Sequence, residues 1–339
     1  MTASSGLVRI AVDAMGGDYG PSETVPGAVE AARGGGVQIG LVGEPDAVKA
    51  ELAKHDVDGL PIMQVPSEGV ILEDEQPAIA LRQKPRASIM VSTGMVKSGL
   101  ADASVTMGST GAAMAAGAVV LGVIEGIERP AIGGPIVGLA PHTMMIDLGA
   151  NVDSRPTQLL SFAVIGEVFA KQVWEIERPR VALLSVGSET GKGNRQVRET
   201  TELLAKSGLN FIGNVEANDL PYNKTDVAVC DGFVGNVVMK LTEGLGSGIS
   251  DHLKNRLEGK LPEVELADLA RDVYEINNVT ETYGGGPLFG VNGVSVVGHG
   301  RGKAESVRRA IETARRFVEV GFVASLNEEL ARVKQAVGE

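Results

Sequence analysis

The sequence is poor in the residues that build disulfide frameworks and metal centres. It holds one cysteine, Cys230, and four histidines, none of them at the spacing of an H-x-x-x-H pair or of a histidine–carboxylate cluster. An internal disulfide framework and a multi-cysteine metal site are therefore excluded, and a reducing compartment fits the single thiol. We predict a cytoplasmic protein that uses no metal and no cofactor.

Long hydrophobic runs and an excess of positive charge are also missing. The longest apolar stretch covers residues 111–124 and is interrupted by glycines, whereas a membrane-spanning helix needs about 20 residues. No basic segment precedes an apolar core at the N-terminus, so we expect no secretory signal. With a formal net charge of −12, the chain as a whole cannot attract nucleic acid or an anionic bilayer. Any anionic partner must meet a local basic patch.

Glycine, in contrast, is abundant. The chain has 45 glycines, about twice the number expected from average usage, which predicts many tight turns and ligand loops. Short β-rich runs alternate with longer helical patterns, as is typical of parallel strands covered by helices on both faces. We predict an α/β fold with a mostly parallel sheet, and its strands are LVRIAVDAM, VQIGLVG, IMQVP, ASVTMG, PIVGLA, TMMIDLGA, VALLSVG, NFIGNVE, VAVCDG and VSVVGHG.

The predicted helices lie between these strands, at residues 22–33, 109–122, 155–171, 194–207, 234–257 and 303–326. No linker or repeat divides the chain, so we predict a single domain of residues 1–339. Between residues 242 and 283 the alternation stops, and leucines at three-and-four spacing predict an inserted, protruding amphipathic helical hairpin with its turn at residues 259–262. The hairpin packs on its own domain or a second subunit, or it touches a membrane surface.

Most predicted strands end directly in Gly, Asp, Asn or Ser, and ligands of open α/β sheets bind beyond the carboxyl ends of the strands. After the first strand, Asp13 is followed by Gly16 and Gly17, whose bare backbone lets N–H groups approach a ligand closely. After the fourth strand, Ser109 and Thr110 begin a helix. They either cap that helix or, with its free N–H groups, form an anion site.

Three further regions carry candidate chemistry. The loop SVGSETGKGN sets Lys192 among glycines without Walker A spacing, so ATP hydrolysis is not expected, but a lysine with N–H donors suits phosphate or an oxyanion. Asn214, Asp231 and Asn236 follow later strands, where they orient an oxygen or a cation or only bond their own turns. His299, between two glycines, can donate to an anion or move a proton.

Together these loops resemble one family over essentially the whole chain, the bacterial phosphate acyltransferases of phospholipid synthesis. The matching stretches are, in order, VDAMGGDYGP, GSTGA, IDLGANVDSRP, GSETGKG, FIGNVEAND, CDGFVGNVVMK and GGGPLFGVNGVSVVGHG. Seven stretches in this order are highly specific. The chain departs from the family pattern at Ser109, where asparagine is frequent, and after His299, where Gly-Arg stands in place of serines.

The resemblance implies a Rossmann-like three-layer α/β/α sandwich related to isocitrate and isopropylmalate dehydrogenases and to phosphotransacetylases, and a homodimer. It also implies transfer of a long-chain fatty acyl group from acyl carrier protein to inorganic phosphate, giving an acyl phosphate for a membrane glycerol-3-phosphate acyltransferase. A thioester is already activated and phosphate is the nucleophile, so no Ser-His-Asp or Cys-His relay is required. Weak peripheral contact with the membrane would shorten the path of the labile, amphiphilic product.

The candidate site residues combine the loop patterns with this resemblance. We assign as catalytic Lys192, Asn236 and His299. We assign as substrate-binding Asp13, Gly16, Gly17, Ser109, Thr110, Gly111, Asn151, Asn194, Asn214 and Asp231. Cys230 lies inside a predicted strand, where a buried packing role is expected rather than an acyl-accepting one.

Three alternatives stay open on the sequence. A phosphotransacetylase-like enzyme would take its acyl group from acyl-coenzyme A. A nicotinamide-dependent dehydrogenase would share the fold, but no G-x-G-x-x-G follows the first strand. A non-catalytic lipid-binding or scaffold protein would not need so many polar strand ends.

Overall fold

The computed structural model describes residues 6–279 and 284–338. Their contacts group into two compact units, which we call the first unit, Met1–Pro130 with Tyr283–Asn327, and the second unit, Ala131–Thr282 with Glu328–Glu339. The single domain of residues 1–339 stays a prediction. Residues 280–283 of the predicted hairpin lie outside the described part of the chain.

The first unit contains a mostly parallel sheet. Its strands are β1 (Val8–Asp13), β2 (Val37–Gly43), β3 (Ile62–Pro66), β4 (Ala103–Thr106), β10 (Gly286–Phe289) and β11 (Val294–Val297). They lie in the spatial order β3-β2-β1-β4-β11-β10, and only β10 among these six is antiparallel to its described neighbour. The central strands are almost wholly buried, which explains their continuous rather than alternating apolar runs.

Helices cover both faces of this sheet. They are α1 (Pro21–Gly34), α2 (Pro45–Leu52), α3 (Pro77–Gln83), α4 (Ser88–Lys97), α5 (Thr110–Ala116), α10 (Ala304–Glu319) and the start of α11 (Phe322–Val337). Met95 of α4 lies 3.3 Å from the position of a β-carbon on Gly40, whereas Leu41 and Gly43 line the same cavity as Val48 of α2. Successive strand residues face opposite sides, so α2 and α4 cover opposite faces.

The second unit also contains a mostly parallel sheet with helices. Its strands are β5 (Ala131–Pro135), β6 (Met144–Ile146), β7 (Val181–Leu184), β8 (Phe211–Val215) and β9 (Val227–Val229), and its helices are α6 (Pro156–Val173), α7 (Arg195–Lys206), α8 (Gly232–Leu257) and α9 (Glu263–Asn277). The strand order is β5-β6-β9-β7-β8, with β5 antiparallel to β6 and the other described pairs parallel. The predicted α/β fold with mostly parallel strands is confirmed.

Nine of the ten predicted strands form at their predicted places, and PIVGLA does not. The strand in that region is β5, which ends where the prediction begins, while Ile136 and Val137 join the core from the following loop. Gly133 and Gly134 prevent the sequence from predicting β5, because glycine is rare in strands. A β-carbon on Gly133 would lie 2.9 Å from the carbonyl oxygen of Met145 on β6, so close pairing requires the glycine.

Two further elements differ from the sequence prediction. The sequence prediction does not include strand β10, because the glycines on both sides of PLF are typical of a turn. The C-terminal helix, predicted to be continuous, is divided into α10 and α11 at Gly321, whose φ of +63° is open to glycine at little cost.

The predicted helical hairpin is present as α8 and α9. Its described turn spans residues 258–262, and the Ser250 hydroxyl donates a hydrogen bond to the carbonyl oxygen of Ala270 at 2.8 Å. Helix α8 begins at Gly232, ten residues before the predicted insertion, because it continues directly from the capping residue Asp231. Across the described residues, no helix combines the length and the apolar character needed to span a bilayer.

Candidate functional site

Asp13 shapes the glycine loop that follows β1. One carboxylate oxygen accepts hydrogen bonds from the N–H groups of Met15 (3.2 Å) and Gly16 (3.1 Å), and the other accepts from the Thr106 hydroxyl at 2.7 Å. Burial raises the pKa of Asp13 above its ordinary value, although these hydrogen bonds oppose the shift. Both oxygens are engaged inside the protein, so Asp13 acts on a ligand through the loop it holds.

The two glycines of this loop are required by close backbone approach. A β-carbon on Gly16 would lie 2.8 Å from the nitrogen of Gly108, and one on Gly17 would lie 3.0 Å from the oxygen of Gly300. The N–H of Asp18 donates to that same Gly300 oxygen at 2.8 Å. The loops after β1, β4 and β11 therefore meet at the carboxyl edge of the first unit's sheet.

His299 follows β11 at this edge and is half-buried. Its Nδ1 accepts a hydrogen bond from the backbone N–H of Arg301 at 3.3 Å, and its carbonyl oxygen accepts from Gly302 at 2.7 Å. A neutral imidazole that accepts at Nδ1 carries its proton on Nε2. The ring thus presents an N–H donor suited to a carbonyl oxygen or an oxyanion.

Ser109 caps α5, as one of its two sequence interpretations predicts. Its hydroxyl oxygen accepts from the N–H of Ala112 at 3.4 Å, while Thr110 and Gly111 are exposed. Pro77 of α3 lies 3.2 Å from the position of a β-carbon on Gly111. The first turn of α5 therefore shows backbone N–H groups to the surface, next to α3.

In the second unit, Asp147 organises the loop after β6. This buried carboxylate accepts from the N–H groups of Ile132, Gly149, Ala150 and Asn151 and from the Asn151 side-chain amide, over 2.7–3.3 Å. Burial raises its pKa, against the pull of these donors. Asn151 is consequently held in place by a carboxylate that the sequence analysis did not select.

Helix α8 starts against this loop. Asp231 caps the helix by accepting from the N–H of Val234 at 2.9 Å, and the N–H of Gly232 donates to the carbonyl oxygen of Asn151 at 2.7 Å. A β-carbon on Gly235 would overlap the carbonyl oxygen of Asp147. This approach leaves Asn236, the fifth residue of α8, exposed.

Lys192 is exposed in the loop between β7 and α7 and forms no ion pair within the part of the chain that the structure describes. The Asn214 side-chain amide donates weakly to the carbonyl oxygens of Glu189 (3.5 Å) and Lys192 (3.4 Å). Asn194 caps α7 by accepting from the N–H of Val197 at 2.9 Å. The lysine is therefore a charged group on a loop whose carbonyl oxygens contact Asn214 and whose C-terminal end is held by the helix cap Asn194.

Cys230 is buried, in agreement with the predicted packing role. Its thiol lies in the apolar core of the second unit and contacts the carbonyl oxygen of Asp147 at 3.6 Å. Burial raises the pKa of the thiol well above its ordinary value, and the neighbouring carboxylates Asp231 and Asp147 add to the shift. A protonated, buried thiol is a poor nucleophile.

The candidate residues divide between the two units, seven in the first and six in the second. Most of them follow the carboxyl end of a strand, as predicted, whereas Asp13 and Asn214 lie within the last two residues of β1 and β8. The sequence analysis missed Thr106, Asp147 and Gly235, although polar residues directly after buried strands were the signal it used elsewhere. In residues 6–279 and 284–338, no cluster of three or more His, Cys, Asp or Glu side chains has the arrangement of a metal site.

Comparisons with known proteins support the family that these loops resemble. The family described as "Fatty acid synthesis protein" matches residues 8–325. The phosphate acyltransferase of Heliobacterium modesticaldum is 45% identical over 328 residues, covering 95% of this chain and 98% of that protein. The phosphate acyltransferase of Moorella thermoacetica is 44% identical over 325 residues, covering 95% of each chain.

Among solved structures, a phosphotransacetylase from Streptococcus pyogenes aligns with a TM-score of 0.63 at 16% identity, covering 92% of this chain and 94% of that one. A 4-hydroxythreonine-4-phosphate dehydrogenase from Klebsiella pneumoniae aligns with a TM-score of 0.51 at 15% identity, covering 94% and 99%. At such identities these two likenesses establish the fold alone, as the resemblance implied. On the near-full-length sequence identities, the chain belongs to the phosphate acyltransferase family.

Proposed function

We propose that the protein transfers a long-chain fatty acyl group from acyl carrier protein to inorganic phosphate. A phosphate oxygen attacks the thioester carbonyl carbon, a C–O bond forms, and the C–S bond breaks. The carrier's sulfur leaves as a thiol by taking up the proton that hydrogen phosphate loses, and the product is an acyl phosphate. The 45% identity to a protein named phosphate acyltransferase carries the proposal, and loops rich in fixed donors fit a reaction that needs orientation and oxyanion stabilisation.

The candidate residues have separate roles in this proposal. Lys192 supplies positive charge to phosphate, and the Nε2–H of His299 donates to the oxyanion that forms from the carbonyl. Asn236 is exposed near the start of α8, where its amide can orient an oxygen of either reactant. The cap residues retain further groups: Asn194 keeps its amide N–H donors, and Asp231 keeps a second carboxylate oxygen.

One assay separates this reaction from its alternatives. Phosphate-dependent consumption is measured with palmitoyl–acyl carrier protein, palmitoyl-coenzyme A and acetyl-coenzyme A, and the first substrate should be preferred. Preference for acetyl-coenzyme A would favour a phosphotransacetylase, and no phosphate dependence with any thioester would refute acyl transfer to phosphate. We further propose that the acyl phosphate passes to a membrane glycerol-3-phosphate acyltransferase, as the family resemblance implies.

The family resemblance implies that acyl carrier protein is acidic. We propose that it docks near the basic stretch LRQKPRAS. Two of its three cations are partly neutralised: Lys84 pairs with Glu75 at 2.6 Å and Arg86 with Glu68 at 3.0 Å. Arg82 is exposed and has no ion-pair partner within residues 6–279 and 284–338. Arg82 is thus the cation most free to attract a carboxylate partner.

Arg82→Glu is expected to raise the KM for the carrier substrate about threefold to tenfold and to flatten its dependence on salt, because charge reversal removes local attraction. Initial rates at two ionic strengths measure both effects. Arg33→Glu is the matched control, since the exposed Arg33 lies in the last turn of α1, at the opposite edge of the first unit's sheet. Equal effects of the two reversals would place docking elsewhere.

A homodimer is proposed from the exposed apolar stripe on α8. Val237, Leu241, Leu245 and Ile249 recur every four residues, and Leu241 is 60% exposed. A stripe of this size on a helix is costly to leave in water and is typical of a partner-covered face. The molar mass from light scattering tests the dimer, which a value near 35.2 kDa would exclude.

Weak peripheral membrane contact is proposed for the hairpin turn, where Leu261 and Val264 are exposed. The segment 251–275 has four basic and seven acidic residues, so association must depend on apolar burial, about 0.8 kcal/mol per methylene. We expect the native protein and a Leu257→Met, Leu261→Met variant to float with phospholipid vesicles, and Leu257→Glu, Leu261→Glu to stay in solution. If all three proteins float alike, or none does, the hairpin has no membrane role.

A further inference from the structure

A small apolar cavity lies at the carboxyl edge of the first unit's sheet, between β2, β3 and α2. It has a volume of about 220 Å³, and its walls present only apolar surface. Leu41 and Val48 are buried and form its inner side, and the exposed Pro45, Gln64 and Pro66 form its outer side. Gly43 lies at the end of β2, where a β-carbon would lie 2.6 Å from Val48 and 3.1 Å from the sulfur of Met15, so glycine is needed there for close packing.

The cavity adjoins the glycine loop of the candidate site. The β-carbon position of Gly43 is 3.1 Å from the sulfur of Met15 and 3.3 Å from the β-carbon of Ala14. Ala14 and Met15 lead directly into Gly16, whose nitrogen is held by Asp13. Since β1 separates β2 from β4 in the sheet, the loop lies between this cavity and the N–H groups after β4.

Two other cavities in the described residues suit an aliphatic ligand less well. The groove between α8 and α9 has about 390 Å³ but is lined by Asp251, Lys254 and Arg271, which an aliphatic chain would desolvate. The cavity beside Phe289 has about 10 Å³, less than one methylene group needs. Size and chemistry together favour the cavity beside α2.

We propose that this cavity binds the methyl end of the fatty acyl chain while the thioester lies at the glycine loop. The proposal rests on the proposed function and adds the position of the chain. An apolar cavity of about 150 Å³ stays dry and binds benzene, so 220 Å³ accommodates more than six carbon atoms. The edge position also explains the exposure of the outer wall, because a long flexible chain must enter from the surface.

Filling the cavity should shift the preference of the enzyme toward shorter chains. Gln64→Trp places a large ring in the cavity from an exposed position, and Met63→Trp is its matched control, because Met63 is exposed on the opposite face of the same strand. Each methylene kept out of an apolar site weakens binding about fourfold. We expect Gln64→Trp to lower the ratio of kcat/KM for palmitoyl over octanoyl carrier substrates at least tenfold, and Met63→Trp to leave it unchanged.

A second variant and a binding measurement complete the test. Val48→Ala enlarges the cavity and should raise the same ratio, and calorimetry with dodecyl phosphate should show weaker binding to Gln64→Trp than to Met63→Trp. An unchanged ratio and unchanged dodecyl phosphate affinity in Gln64→Trp would overturn the acyl-chain site. Absence of phosphate-dependent transfer by the native protein would instead refute the proposed function, so the two failures are distinguishable.

Discussion

Lys192→Ala is expected to lower kcat/KM for phosphate about a hundredfold and leave the fold intact, because one preorganised donor or charge at a developing oxyanion contributes about 10²–10³ in rate. The side chain is exposed and makes no ion pair within the described residues, so its removal breaks no packing. If the lysine binds phosphate in the ground state, high phosphate concentration should restore part of the rate. Initial rates over a range of phosphate concentrations separate the effects on KM and kcat.

The controls for Lys192 come from the same segment. Lys206→Ala removes an exposed lysine at the other end of α7 and should have nearly native kinetics. Lys192→Arg keeps the charge and should retain more activity than the alanine variant, though not all of it, since a planar guanidinium replaces a compact ammonium group. Native kinetics in Lys192→Ala would remove the lysine from the mechanism.

Asn214 connects this lysine to the sheet. Its Oδ1 and the nearby Ser185 hydroxyl are buried without a hydrogen-bond partner in the described residues, whereas its amide nitrogen reaches the loop carbonyls. Buried polar atoms normally have partners, and exceptions often occur at functional positions. These unpartnered buried atoms support the prediction that the carboxyl ends of β7 and β8 contact the substrate.

The strand ends were predictable because their signal is local. A buried parallel strand is a continuous apolar run, and the run stops at a polar residue, as at Asp13 in β1 and at Ser185 after β7. Strand β5 gave no such signal, since its Gly133 serves a close pairing with β6 that only the assembled sheet reveals. Sequence periodicity also cannot order the strands, because nothing local places β11 beside β4.

The supporting residues of the site were harder to find than the exposed ones. Asp147 lies in a stretch that the sequence analysis had singled out, but Asn151 was selected there instead. What distinguishes Asp147 is its burial and its convergence of backbone donors, which depend on the path of the loop in space. The cap residues Asn194 and Asp231, in contrast, stand directly before helical patterns and follow known capping preferences.

Gly235→Ala is expected to be the most destabilising of the substitutions considered. The position lies within the first turn of α8, and an added β-carbon would overlap the carbonyl oxygen of Asp147 and lie 3.2 Å from the Cα of Leu148. Backbone atoms cannot yield as a flexible side chain would, so either α8 or the loop must move. We expect a loss of about 3 kcal/mol or more in the free energy of unfolding.

Gly94→Ala provides the contrast that assigns this loss to the backbone contact. Gly94 lies inside α4 with no atom within 4 Å of its β-carbon position, so alanine there should stabilise the helix by about 0.5–1 kcal/mol. Thermal unfolding followed by circular dichroism should show Gly235→Ala melting about 4 °C or more below the native protein, and Gly94→Ala melting slightly above it. If Gly235→Ala melts with the native protein, α8 does not press on the Asp147 loop. If it unfolds early yet retains phosphate-dependent activity at low temperature, the loop is structural and Asn151 has no part in binding substrate.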